Sequence, residues 1–192
     1  MAETMLDGLK ERVAKSLKIH QALGVIVPMN NYTDLFEAIF NHMLSNNQDA
    51  WTYITVTKSY DTIDKMFKNL ADHKNIKFID CVSRAAGIAR TDKNCIYIES
   101  PSLLEKIILE MTHLFSEVKD DAKKYVVIDS LNALMIYNNP KLVKAFFQHF
   151  INKTRAENIH IMSLVLEEEL DEYMNKIIFL NDKIIKVRES FI

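Results

Sequence analysis

Two stretches of this chain hold residues that could handle a ligand. Pro28-Met29-Asn30-Asn31-Tyr32-Thr33 leads from an apolar run into a helical pattern, and Asp129-Ser130 ends another apolar run. The first stretch lies where a strand-to-helix turn would grip phosphate. Such a grip needs backbone close to the anion, which glycine permits, and a lysine ammonium on the terminal phosphates. The turn contains neither residue type, and no Lys or Arg lies between Ile19 and Thr57. Asp34 and Glu37 instead occupy the first turn of the helix, where they answer the positive end of its dipole. The site reads as retired from triphosphate chemistry.

Asp129 has two readings. In one it caps the loop after its strand through Asn132 or a nearby backbone N–H, as short acids at strand ends do. In the other it joins Asn30, Asn31, Tyr32, Thr33 and Ser130 in a residual polar pocket at the carboxyl edge of a sheet, the place where doubly wound folds bind ligands. That pocket would suit a neutral or weakly charged molecule better than a triphosphate. Asp129 would hold Mg²⁺ only beside a nucleotide, because this ion binds through a carboxylate or two plus substrate phosphates. No metal set stands on its own: the six histidines have no ligand spacing. Glu167-Glu168-Glu169, Asp171 and Glu172 read as solvated acids that complement the dipole of a short helix. No serine sits in a Gly-x-Ser-x-Gly turn, so nucleophilic hydrolase chemistry has no support.

The elements that must position these residues alternate along the chain. Apolar runs over residues 23–27, 52–56, 76–79, 95–98, 125–128 and 159–165 predict strands, and the period of the intervening segments predicts helices over 33–44, 60–70, 101–118 and 140–156. Pro101 and Pro140 fall in the first turn of the last two, where the missing N–H costs nothing. Leu104, Ile107, Ile108, Met111 and Leu114 form the apolar face of one; Leu142, Val143, Phe146 and Phe150 form that of the other. An amphipathic helix over 4–20 precedes them, with an apolar seam at Leu6, Leu9, Val13 and Leu17. It covers a sheet face or edge, or it docks on a partner or a membrane surface. Strands without polar alternation, joined by helices, imply a doubly wound, mostly parallel α/β sheet. Apolar stretches 177–180 and 183–187 flank Asn181-Asp182, which predicts a closing antiparallel hairpin. The expected layout is one domain over 1–192, with an N-terminal helix over 1–20, a core over 23–175 and the hairpin over 176–192.

Composition narrows the classes. A hydrophobic share of 48% with 26% charged residues is that of a globular chain, and its 192 residues suffice for one core. A net charge of −2 with scattered basic residues leaves no footprint for a nucleic-acid backbone. Cys81 and Cys95 match no metal or redox spacing, and Asp7, Lys10, Glu11 and Arg12 interrupt any leader-like apolar run. No run approaches a membrane span, so the expected setting is cytoplasmic.

Tyr125-Val126-Val127-Ile128-Asp129-Ser130-Leu131-Asn132-Ala133-Leu134 resembles the Walker B strand of the RecA/KaiC-like ATPases. Phe78-Ile79-Asp80, then Ser100-Pro101-Ser102-Leu103, then Lys186-Val187-Arg188-Glu189-Ser190 are similar to features found in the same order in KaiC-like proteins, over roughly Leu23 to Ser190. Glu189 stands where the closing motif usually has glycine. The likeness is to small archaeal-type members without a Walker A.

The resemblance implies a RecA-like fold and also what is missing from it. The Gly-rich loop and its Lys are absent, and Thr57-Lys58-Ser59 stands in place of the catalytic glutamates. Only Asp129 of the hydrolytic set keeps its identity. Phosphoryl transfer depends almost wholly on positioning and charge stabilisation, so losing these parts together removes most of the machinery.

The expectation is a noncatalytic interaction or regulatory module with no cofactor. Its partner would be another protein, either an active KaiC-like relative or a further copy of itself. In KaiC-like rings the residues corresponding to Lys186 and Arg188 reach the neighbour's nucleotide, which implies a trans-acting or interface role for both. The bland alternative is a basic edge that discourages strand pairing. The rival reading is an ATPase using ATP and Mg²⁺, with Lys58 replacing the missing cation and Lys186 or Arg188 supplied by a neighbour.

Overall fold

The computed structural model describes residues 2–67, 70–88, 90–119 and 121–187. Its centre is a seven-stranded sheet of order β4-β3-β2-β5-β6-β1-β7. The strands are β1 (Ala22–Val27), β2 (Ala50–Thr55), β3 (Ile76–Asp80), β4 (Cys95–Tyr97), β5 (Lys124–Asp129), β6 (Ile159–Leu166) and β7 (Lys183–Lys186). Every pairing is parallel. All six residues of β1 and all six of β2 are buried, which is why these runs lack polar alternation.

Helices cover both faces. On one side α1 (Ala2–Ile19), α2 (Tyr32–Ser45) and α3 (Tyr60–Met66) bury Val13, Leu17, Phe36, Phe40 and Ile63 against Val25, Tyr53, Val127 and Leu164. On the other, α4 (Leu104–Ser116), α5 (Leu131–Tyr137), α6 (Pro140–Ala156) and α7 (Glu172–Ile178) pack Met111, Leu134, Phe147 and Ile178 against Ile26, Ile54, Val126 and Ile161. Local chemistry sets several starts. Ser59, Ser130, Asn139 and Asp171 each cap a helix with a side-chain oxygen, and Pro140 opens α6 as expected. Pro101 instead lies in a turn, with α4 beginning at Leu104, and α5 is an additional helix after Asp129-Ser130.

Among the described residues, the segments 177–180 and 183–187 do not pair as the closing hairpin predicted over 176–192. Residues 172–178 make α7, and β7 joins β1 in parallel. Met174, Ile177 and Ile178 are all fully buried, and their i, i+3, i+4 spacing is helical, so the apolar stretch was one face of a short helix rather than a strand. Gly24 lets α7 approach β1 closely. A Cβ there would stand 2.6 Å from Ile178 Cδ1 and 3.0 Å from Asn181 Nδ2. Gly24→Ala is therefore expected to destabilise the protein by about 1–3 kcal/mol through overpacking, read as a lower urea midpoint.

Candidate functional site

The carboxyl ends of β1, β2, β5, β6 and β7 bring the predicted site residues to one edge of the sheet. Asp129 ends β5 and is fully buried. Its Oδ2 accepts from the Tyr53 hydroxyl at 2.6 Å, from the Tyr32 hydroxyl in a short contact, and from Thr57 Oγ1 at 3.4 Å. Its Oδ1 is buried without a partner among the described residues. Burial pushes the carboxyl pKa above the ordinary value, against the lowering pull of the two phenols, Lys58 and Thr57. Burial and the same carboxylate push Tyr32 and Tyr53 upward, so both phenols stay protonated donors.

β2 supplies the second wall. The Val56 N–H donates to the Asp129 carbonyl at 2.8 Å, which carries the next residues over Asp129. Thr55, buried at the strand end, donates its hydroxyl to the Lys58 carbonyl and accepts the Lys58 N–H at 3.3 Å, shaping that turn. The Lys58 ammonium then lies 4.2 Å from the centre of the Tyr32 ring and 5.1 Å from that of Phe36. Burial lowers its pKa, and the attraction of Asp129 opposes that shift.

At the end of β1 the chain makes one tight turn, Met29–Asn31, before α2. The Met29 N–H, where an anion would meet the start of this helix, donates to both oxygens of Glu168 at 2.9 and 3.0 Å. Asn31 is buried with Oδ1 unpartnered, whereas Asn30 and Thr33 are exposed. Ser130 turns away to accept the Ala133 N–H at 3.3 Å.

The predicted polar pocket is thus divided among separate tasks, and Tyr32, one of its predicted members, bonds Asp129 together with Tyr53. Nor does Asp129 cap its own loop through Asn132. The Asn132 Oδ1 accepts the Leu166 N–H at 2.8 Å and its Nδ2 donates to the Glu169 carbonyl, tying α5 to the end of β6.

Lys186 lies on the edge strand β7, 3.7 Å from Glu167 and 55% exposed. Arg188 lies outside the described residues. Among the described residues no group of acids, histidines and cysteines could hold a metal ion, and no helix is long and apolar enough to cross a membrane.

Sequence reasoning missed Tyr53 and Glu168. Tyr53 had a signal: a tyrosine inside a strand expected to be buried on both faces must find a partner for its hydroxyl. Glu168 had none, because its acceptor role comes from the register of β1 against β6, in which Val27 faces Leu166.

No protein-family model and no curated protein matches the sequence. Solved structures match the fold. An uncharacterised protein from Pyrococcus horikoshii, crystallised in complex with an unknown peptide, aligns with a TM-score of 0.66 and 12% identity over 89% of this chain and 79% of that one. A KaiC-like protein from the same organism aligns at 0.63 and 11% identity, over 90% and 76% of the two chains. The flagellar accessory protein FlaH from Methanocaldococcus jannaschii aligns at 0.51 and 18% identity, over 87% and 71%. The chain has the RecA/KaiC-like α/β fold of these structures. Identities this low carry the architecture alone.

Proposed function

We propose that this protein is a noncatalytic member of its fold class that works through protein contacts, its phosphate site closed by its own side chains. The observation that carries this reading is the pair of internal substitutes at the carboxyl edge. The Tyr32 and Tyr53 hydroxyls hold Asp129 through its Oδ2, and the Glu168 carboxylate takes the Met29 N–H a phosphate would need.

Mg²⁺-ATP does not fit these residues. The turn supplies no glycine or lysine, and a triphosphate would have to displace a carboxylate from the helix start while lying beside Glu167 and Glu168. Lys58, whose charge acts on Asp129, is engaged over the Tyr32 ring. The peptide bound to the Pyrococcus protein gives independent support for protein recognition as a use of this architecture.

Thermal melts with Mg²⁺-ATP test the proposal. A ligand at 100 times its dissociation constant stabilises by about 2.7 kcal/mol, an easily measured rise. The expected result at millimolar Mg²⁺-ATP is no rise and no phosphate release. A rise that Lys58→Met or Asp129→Asn abolishes would replace this reading with an ATPase of unusual loop.

A further inference from the structure

The amino edge of the sheet, at the far end of β5 from Asp129, holds a polar cavity of about 410 Å³. It lies where β5 and β6 begin and α6 ends, and Asp121, Lys123, Lys124, Glu157, Asn158 and His160 line it.

The turn from α6 into β6 builds one wall. Asn158 has φ 54°, in the left-handed region that asparagine tolerates. The Glu157 and Asn158 N–H groups donate to the Lys153 and Arg155 carbonyls at 3.1 and 3.2 Å, which satisfies the end of α6 and blunts the negative pole of its dipole. Strand register then sets Lys124 beside Ile159 and Tyr125 beside His160. The His160 ring packs on Tyr125 at 5.1 Å between centroids, with Nδ1 3.4 Å from the His20 carbonyl. A carbonyl only accepts, so Nδ1 carries the proton in that contact and Nε2 is the nitrogen left for a ligand.

The charges around the cavity do not balance. Glu157 is held by Lys153 at 2.6 Å. Lys123 and Lys124 enter no ion pair among the described residues, and neither does Asp121. Two ammoniums and an imidazole thus share the cavity with a single uncompensated carboxylate. A concave polar surface with surplus positive charge concentrates anions, and a volume of this order suits a small molecule rather than a polymer. A metal ion has no support here, since no group of acids, histidines and cysteines among the described residues could hold one.

We infer that this cavity binds a small dianion, of the phosphate or dicarboxylate kind, its charge taken by the Lys123 and Lys124 ammoniums and by His160 donating from Nε2 as imidazolium. The anion itself favours that protonation. The inference goes beyond the interaction module and concerns the opposite edge of the sheet. A response here is removed by Lys124→Ala and untouched by Asp129→Asn, the reverse of a nucleotide response, so the two readings fail separately.

The test is a resonance-by-resonance NMR titration with inorganic phosphate in one arm and succinate in the other, against sodium chloride at matched ionic strength. The expected result is saturable movement of the 121–124 and 157–160 signals with at least one of the two dianions, and which of them binds more tightly tells a single-centre anion from a two-centre one. Lys123→Ala with Lys124→Ala, at surface positions outside the core, should weaken that binding about tenfold or more, and His160→Gln should weaken it as well. Movement that never saturates, that chloride reproduces, or that survives the double lysine variant would overturn the inference. So would saturable movement confined to the 29–33 turn at the carboxyl edge.

Discussion

Phe40→Ala is expected to cost about 3–5 kcal/mol, the largest single loss among these variants, measured as a drop in the urea midpoint with an unchanged slope. Phe40 is fully buried on α2, with ring centroids 4.5 Å from Phe67, 4.8 Å from Phe36, 4.9 Å from Tyr53 and 6.1 Å from Phe78. Truncation removes a ring from the middle of four others, and rigid strands on one side leave little room for collapse. The consequence reaches the site. Tyr53 owes its position to this cluster, and Phe36 links the cluster to Tyr32 at 6.0 Å and to the Lys58 ammonium. The helix that would begin at a phosphate in an active relative is thus anchored by aromatic packing. A control at exposed Phe179, also to Ala, should change stability by less than about 0.5 kcal/mol.

How far such a site is legible in a sequence follows from which contacts are local. The apolar runs of β1, β2, β5 and β6 announced themselves because burial on both faces removes polar residues. The missing glycine and lysine before α2 were equally plain, being a matter of residue type within six positions. The closing segment misled because four apolar residues followed by Asn181-Asp182 fit a strand as well as one turn of helix, and only packing of Ile177 and Ile178 on the sheet decides between them. Asp129 was found as a position but not as a set of bonds. Its partners come from α2, 97 residues away, and from β2, 76 residues away, so no local pattern encodes them. Glu168 fell within a run that reads as solvated acids, although one member seals the turn at Met29 and its neighbour Glu167 meets Lys186.

Tyr53→Phe isolates the electrostatics of Asp129. The hydroxyl donates at 2.6 Å to a carboxylate with no access to water, and removing such a charge-assisted bond costs about 1.5–3 kcal/mol near neutral pH. The sign of the pH dependence follows from the raised carboxyl pKa. The folded state holds the proton more tightly than the unfolded chain, whose carboxyl titrates near ~3.9. That contribution to stability is fully present below the unfolded value and is lost as pH rises through the folded one. Without the Tyr53 donor the ionised form is harder still to accommodate, so the loss should grow from acidic to neutral pH. Urea titrations of wild type and Tyr53→Phe across pH 4–8 should therefore diverge as pH increases. In an Asp129→Asn background, which removes the charge, the same change should cost less and show no such slope. A Tyr53→Phe penalty independent of pH, and equal in both backgrounds, would mean that the phenol serves packing alone, and Asp129 would then be free to turn toward a ligand.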